Sequence, residues 1–210
     1  NVETTSNIPV AKGLKSSSAA ANAVALATTA TLERNLDDIT VVKLGVDGAL
    51  DAKVSITGAF DDACASYFGG IIITDNIERK IIKSFEPSEA LAVLFYVPVE
   101  KTYTVSSDVK RMKDMASAVK IAYNEALNAN YWAALTLNGL IYSSVMGYDP
   151  SSAVDALTAG AVAAGLSGTG PAVSAIVPED KIDDVKEVWR KREGEILMAH
   201  INLEKARVVG

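Results

Sequence analysis

The sequence predicts an α+β protein in two consecutive zones, and three observations carry that expectation. Helix-period and strand-period segments mix along the 210 residues with no repeating strand–helix–strand rhythm. The chain changes character near residue 85: it is rich in Ala, Gly, Ser and Asp up to Phe85, and then runs from Ala90 into Leu91-Ala92-Val93-Leu94-Phe95-Tyr96-Val97, the pattern of a buried strand, stopped by Pro98. Hydrophobic residues make up 49% and charged residues 22%, an ordinary globular composition, and the length suits one large domain or two small ones. The expected division is 1–85 and 86–210.

The elements follow in order. Ser17 to Glu33 is Ala-rich with hydroxyls at its start, and reads as a helix. Asp37 to Leu50 is a second, with Asp37 or Asp38 as N-cap. Asp61 to Phe68 is a short helix stopped by Gly69-Gly70. Ile71 to Thr74 and Lys80 to Lys83 read as a strand pair around Asp75-Asn76. Ser107 to Asn128 has the period of a long amphipathic helix, and Tyr131 to Met146 that of another, ended by Gly147 and Pro150. Ser151 to Gly160 is a short helix, Ala172 to Val177 a strand, Glu179 to Arg192 a helix, and Glu195 to Val209 one or two strands.

Charge and rare residues exclude several kinds of function. The net charge of −6 argues against a general nucleic-acid binder, and any phosphate ligand must be held by local geometry against the overall field. The single cysteine, Cys64, allows no internal disulfide and no Cys-type zinc site; among small apolar residues it reads as a buried, inert thiol. The single histidine, His200, leaves a Ser-His-Asp triad and most His-based metal centres without ligands. The most apolar stretch, Ala19 to Leu32, is too short to span a bilayer, and the start has no basic region of a signal peptide, so a cytoplasmic location without membrane or nucleic-acid partners is expected. The chain opens on Asn1 with residues that read as mid-strand, and further sequence is expected to precede it.

Three segments carry chemistry. In Pro9-Val10-Ala11-Lys12-Gly13-Leu14-Lys15-Ser16-Ser17-Ser18-Ala19, Pro9 stiffens the entry, Gly13 opens a conformation closed to other residues, and three serines begin a helix. The first amides of a helix lack partners and its dipole is positive there, so an anion fits. Serine hydroxyls add hydrogen bonds or a Mg²⁺ ligand, and Lys15 adds charge. Serine capping alone would produce the same residues. The Walker A pattern occurs nowhere in the chain. Asp61 and Asp62 follow a Gly turn and open an apolar helix; either can accept a proton from an attacking hydroxyl, and either can merely cap the helix. Gly165-Leu166-Ser167-Gly168-Thr169-Gly170-Pro171 reads as a glycine loop leading into a strand, where backbone can approach a ligand closely.

The first segment resembles the P-x-x-x-G-L-[GS]-S-S-[AS] signature of the GHMP kinases, the family of galactose, homoserine, mevalonate and phosphomevalonate kinases. Pro9, Gly13, Leu14, Ser16 and Ser17 match, and Lys15 stands where the family usually has Gly or Ser. The Asp segment ending in Gly69-Gly70 and the glycine loop are similar to the family's second and third motifs, in the same order, so the resemblance covers about Pro9 to Val177. It implies a two-lobed GHMP fold with an incomplete N-terminal lobe and a ferredoxin-like C-terminal lobe. It implies ATP and Mg²⁺ as cofactors, with the nucleotide held by Pro9 through Ala19 and by Gly165, Ser167, Gly168, Thr169 and Gly170, and the Ser17 hydroxyl as the candidate Mg²⁺ ligand. Asp62 falls on the family's catalytic Asp, one residue beyond Asp61, and the lysine that often pairs with it has no evident counterpart. The strings around Lys15 and Asp62 look like the archaeal-type shikimate kinases within the family, which implies shikimate as the small-molecule acceptor, in the chorismate route to aromatic amino acids. Another alcohol such as homoserine, or a non-catalytic nucleotide-binding relative, is the alternative. Lys110, Arg111 and Lys113 follow Thr102-Tyr103-Thr104 in a layout similar to homoserine kinases, and Arg111 is the candidate for the acceptor's carboxylate; these charges equally suit a solvated helix face.

Overall fold

A computed structural model describes residues 1–55, 58–87, 90–99 and 109–209. It divides into two compact units: unit 1 comprises residues 1–11, 15–88 and 202–210, and unit 2 comprises residues 12–14 and 89–201. No helix among the described residues is long and apolar enough to cross a membrane.

Unit 1 packs three helices, α1 (Ser16–Thr31), α2 (Asp38–Asp51) and α3 (Phe60–Phe68), with an antiparallel hairpin, β1 (Ile71–Asp75) and β2 (Lys80–Phe85). Asp37 caps α2 by accepting from the Thr40 amide at 2.9 Å. The core joins Val41, Val42 and Val46 of α2 to Phe60, Ala63, Cys64 and Tyr67 of α3. Burial pushes the Cys64 thiol up to about 12, so the sulfur stays protonated and apolar. The chain returns to this unit at its end. Gly70 donates its amide to the Asn202 carbonyl and Ala206 donates to the Tyr67 carbonyl, both at 2.7 Å, while Lys205 pairs with Asp38 at 2.8 Å. Of the one or two strands expected from Glu195 to Val209, one forms over Gly194–His200, and residues 201–209 form an irregular strap. Their hydrogen bonds go singly to helix and hairpin ends instead of to a ladder.

Unit 2 holds β3 (Leu91–Pro98), α4 (Val109–Asp114), α5 (Ala116–Leu127), α6 (Tyr131–Met146), α7 (Ser151–Thr158), β4 (Ala163–Leu166), β5 (Val173–Pro178), α8 (Ile182–Arg190) and β6 (Gly194–His200), with a 3-10 turn at Glu179–Lys181. The sheet order is β4-β5-β3-β6, every neighbouring pair antiparallel. Helices lie between β3 and β4 and between β5 and β6 in sequence, which is the split-βαβ, ferredoxin-like arrangement. Trp189 of α8 is fully buried among Leu94, Val177 and Val185, stands 5.8 Å from the Tyr96 ring, and donates its indole N–H to the Ser152 carbonyl at 2.9 Å.

Two features of unit 2 differ from the sequence expectation. The helix expected from Ser107 to Asn128 bends at Met115 (φ −92°, ψ 2°), although amide bonds bridge the bend on both sides, and its expected start lies outside the described residues. The run expected as a loop from Gly165 begins as strand: Gly165 is buried in β4 against Gly139 of α6. A Cβ on Gly139 would fall on the Gly165 Cα and 2.7 Å from the Leu166 amide nitrogen, both rigid backbone. Gly139→Ala is therefore expected to destabilise the protein by about 2 kcal/mol, overpacking outweighing the gain in helix propensity. A lower urea midpoint with unchanged slope checks this.

Candidate active site

In unit 1 the candidate residues gather at the beginnings of α1 and α3. Lys15 is the N-cap residue of α1 and sits in the left-handed region (φ 61°, ψ 29°); no side chain caps the helix. Ala19 returns its amide to the Lys15 carbonyl at 3.3 Å, while the amides of Ser16, Ser17 and Ser18 precede the first intrahelical acceptor. Ser17 is exposed and Ser18 is buried. Positive φ recurs at alternate positions, Ala11 (60°), Gly13 (79°) and Lys15 (61°), two of them non-glycine residues for which this conformation is costly. Pro9 and Val10 lead into this segment, Val10 largely exposed.

Helix α3 also starts on a left-handed residue, Ala59 (φ 45°), with no side-chain cap. Its two carboxylates, equivalent by composition, have separate fates. Asp61 is bound to the hairpin: its carboxylate accepts from Asn76 Nδ2 at 2.9 Å, and its amide donates to Asn76 Oδ1 at 3.1 Å, which also accepts from Thr74 Oγ1 at 2.7 Å. Asp62 turns to α1, with Oδ2 2.7 Å from Lys15 Nζ. The Asp62 side chain is 18% exposed and that of Lys15 36%. Burial pushes the Asp62 carboxyl above the usual carboxylate range; Lys15 pulls it back in part, and the neighbouring Asp61 charge adds to the rise. Lys15, at the position where the loop departs from the family pattern, is the lysine that pairs with Asp62, a contact the sequence alone did not reveal.

In unit 2, residues 12–14 are held by the glycine loop. Ser167 Oγ donates to the Gly13 carbonyl at 2.9 Å, and the Ala172 amide donates to the Lys12 carbonyl at 3.3 Å. The loop closes on itself through Gly170 N–H to the Ser167 carbonyl at 2.9 Å, with Gly168 (φ 58°) and Gly170 (φ 74°) in the left-handed region and Thr169 exposed. Gly13 lies against backbone, since a Cβ there would be 2.7 Å from the Ser167 oxygen and 2.8 Å from that of Gly170. Leu14 connects this segment to Lys15. Gly165 stands apart from the loop, in the α6–β4 contact. Arg111 is exposed on α4, donating Nη2 to the Ser144 carbonyl at 3.4 Å. Lys113 is exposed on the same helix, while Thr102, Tyr103 and Thr104 lie outside the described residues.

Chemically, unit 1 offers an open helix N-terminus for an anion and, beside it, a lysine-paired carboxylate whose hold on a proton is strengthened by burial. An anion seat beside a proton acceptor suits transfer of a phosphoryl group to a hydroxyl. Residues 1–70 match the family model for the GHMP kinases N terminal domain, and residues 151–195 match that for the GHMP kinases C terminal. A shikimate kinase of Methanothermobacter thermautotrophicus is 46% identical over 213 residues, spanning 99% of this chain and 73% of its own length. One of Pyrococcus furiosus is 47% identical over 189 residues, spanning 90% and 68%.

The chain belongs to the GHMP kinases. Solved structures of the family share its fold. A homoserine kinase from Cytophaga hutchinsonii superposes with a TM-score of 0.67 at 19% identity, over 95% of this chain and 69% of its own. The mevalonate kinase of Methanococcus jannaschii gives 0.69 at 18%, over 94% and 67%. The α+β, GHMP-like fold expected from the sequence is thereby established, and the ferredoxin-like strand order agrees with it.

Three residues of this GHMP kinase that touch the candidate site were not found by reading the sequence. Asn76 holds Asp61, Tyr148 packs its ring on Gly170, and Asn22 of α1 donates Nδ2 to the Ala63 carbonyl at 2.8 Å. A signal existed for Asn22, a lone amide in an Ala-rich helix seven residues after Lys15 and so on nearly the same face. Tyr148 and Asn76 lie in turn segments whose partners are set by tertiary folding alone.

Proposed function

We propose that this GHMP kinase transfers the γ-phosphoryl group of ATP to a hydroxyl of shikimate, giving 3-phosphoshikimate and ADP. The observation that carries the reading is the Lys15–Asp62 pair standing at the uncapped start of α1. The choice of acceptor is supported by the names of the relatives at 41–47% identity, such as those from Methanothermobacter thermautotrophicus and Methanocella arvoryzae.

The amides of Ser16, Ser17 and Ser18, with the dipole of α1 behind them, receive the polyphosphate. The segment Pro9 to Leu14 shapes the approach, and the small side chain of Ala19 keeps the helix start open. The glycine loop contributes by fixing residues 12–14 through Ser167. Asp62 orients the acceptor hydroxyl and takes its proton as the oxygen–phosphorus bond forms and the bond to the ADP oxygen breaks. Asp61 braces α3 through Asn76. Among the described residues no three His, Cys, Asp or Glu side chains converge on a metal site. The exposed Ser17 hydroxyl at the start of α1 fits as a donor to Mg²⁺ alongside the nucleotide's own oxygens. When bound, Mg²⁺ neutralises charge on the transferring group. Arg111 is assigned to the shikimate carboxylate.

The test is turnover of γ-labelled ATP with Mg²⁺ against a panel of alcohols. Label is expected in shikimate. Faster transfer to homoserine replaces the acceptor, and ATP binding without transfer to any alcohol replaces the kinase reading with that of a nucleotide-binding relative.

A further inference from the structure

Asn22 occupies a place where an apolar residue would pack more easily. It is 3% exposed, and its helix neighbours Ala20, Ala21, Ala23 and Val24 are all apolar. Its Nδ2 reaches across to α3 and donates to the Ala63 carbonyl at 2.8 Å. Only the nitrogen of the amide can face a carbonyl oxygen, so the orientation is fixed. Oδ1 then faces Gly45 of α2, where an added Cβ would lie 3.1 Å away, and this oxygen is buried with no hydrogen-bond partner. A buried acceptor without a partner is a standing penalty that Ala or Leu would avoid, and such groups are few in folded proteins.

The other end of the amide gives the reason. Ala63 directly follows Asp62, and Asn22 lies two helical turns after Lys15 on nearly the same face of α1. Two bonds in register, Lys15 to Asp62 and Asn22 to Ala63, therefore tie α3 to α1. The first involves a partly exposed lysine; the second is buried and attached to backbone. We propose that Asn22 is a positioning residue for the phosphoryl transfer, clamping α3 so that the Asp62 carboxylate keeps its place beside the loop serines. The inference rests on the reading of Asp62 as the proton acceptor.

The experiment compares the wild type with Asn22→Leu, which keeps the number and branching of the side-chain heavy atoms and removes both the donor and the unpaired oxygen, and with Asn22→Ala in case the bulkier Leu disturbs folding. The thermal midpoint, ADP affinity by titration calorimetry and kcat at saturating Mg-ATP and acceptor are measured together. Asn22→Leu is expected to melt no lower than the wild type and to bind ADP within about twofold, while kcat falls about 10- to 100-fold, the sensitivity of a reacting geometry to displacements near 1 Å. In an Asp62→Asn background the same change is expected to have little further effect. Unchanged kcat with a lower midpoint makes Asn22 merely structural and overturns the proposal. A parallel loss of ADP affinity also overturns it, because the residue would then shape the phosphate seat, as does an undiminished effect in the Asp62→Asn background. A wild type that phosphorylates no alcohol removes the proposed function and this inference with it, whereas an active wild type with an equally active Asn22→Leu removes this inference alone.

Discussion

Asp62→Asn is expected to lower kcat about 10³-fold, within the range that a positioned acid–base group contributes, while leaving ADP affinity nearly unchanged. The amide keeps the size of the carboxylate but takes no proton. The proposed phosphate seat is backbone at the uncapped start of α1 and does not include this side chain. The pH dependence separates this from a structural effect. Burial raises the Asp62 carboxyl above its ordinary 3.8, so the folded protein holds that proton more tightly than the unfolded chain. As pH rises from 3.8 through the folded value, the wild type loses stability relative to the non-titrating Asn variant, and above both values the difference is constant. The melting temperature of Asp62→Asn is thus expected to gain on that of the wild type across this window. Lys15 loses its partner in the variant, but at 36% exposure water takes over its solvation. The acid limb of the wild-type kcat/KM profile, which reports the free enzyme, is expected above the range of an ordinary carboxylate and is absent from the residual activity of Asp62→Asn. An equal loss of ADP affinity would instead place Asp62 in the nucleotide seat.

Gly13→Ala is expected to have the opposite signature, a loss of nucleotide affinity of at least about tenfold with a lower melting temperature. The φ of 79° is strained for Ala by about 1–3 kcal/mol. The new methyl group would also lie 2.7 and 2.8 Å from the carbonyl oxygens of Ser167 and Gly170. Neither oxygen is the end of a flexible side chain, so residues 12–14 must move. The Ser167–Gly13 and Ala172–Lys12 bonds then weaken. The displacement passes along the chain through Leu14 to Lys15, whose left-handed backbone starts α1. ADP titration together with thermal melting checks both parts. Retained affinity would show that α1 keeps its seat independently of the glycine loop.

The extent to which the fold and site were legible depends on how local each signal is. Helix α6 runs from Tyr131 to Met146 as its pattern indicates, because Gly147 takes the left-handed C-cap conformation (φ 76°) that ends it. The Asp37 cap and the hairpin around Asp75-Asn76 are equally local. Strand β4 was hidden, because Ala163-Ala164-Gly165-Leu166 is made of small residues suited to packing against Gly139 rather than of β-branched ones. At the site, the serines and glycines of the loop could be read from their spacing. The division of labour between Asp61 and Asp62 could not, since adjacent helix residues point about 100° apart and only the positions of Asn76 and Lys15 decide which carboxylate meets which partner. Lys15 was visible as an unusual loop residue, but its tie to Asp62 spans α1, α2 and the turn before α3, which no local pattern encodes.

The proposed function stands or falls with the uncapped start of α1 seating the nucleotide's phosphates beside Asp62. A crystal structure with a non-hydrolysable ATP analogue and Mg²⁺ tests it most directly. Phosphate oxygens are expected within hydrogen-bond distance of the Ser16, Ser17 and Ser18 amides, with the γ-phosphate on the side of Asp62. Phosphates bound elsewhere, with those amides facing only solvent, would contradict it.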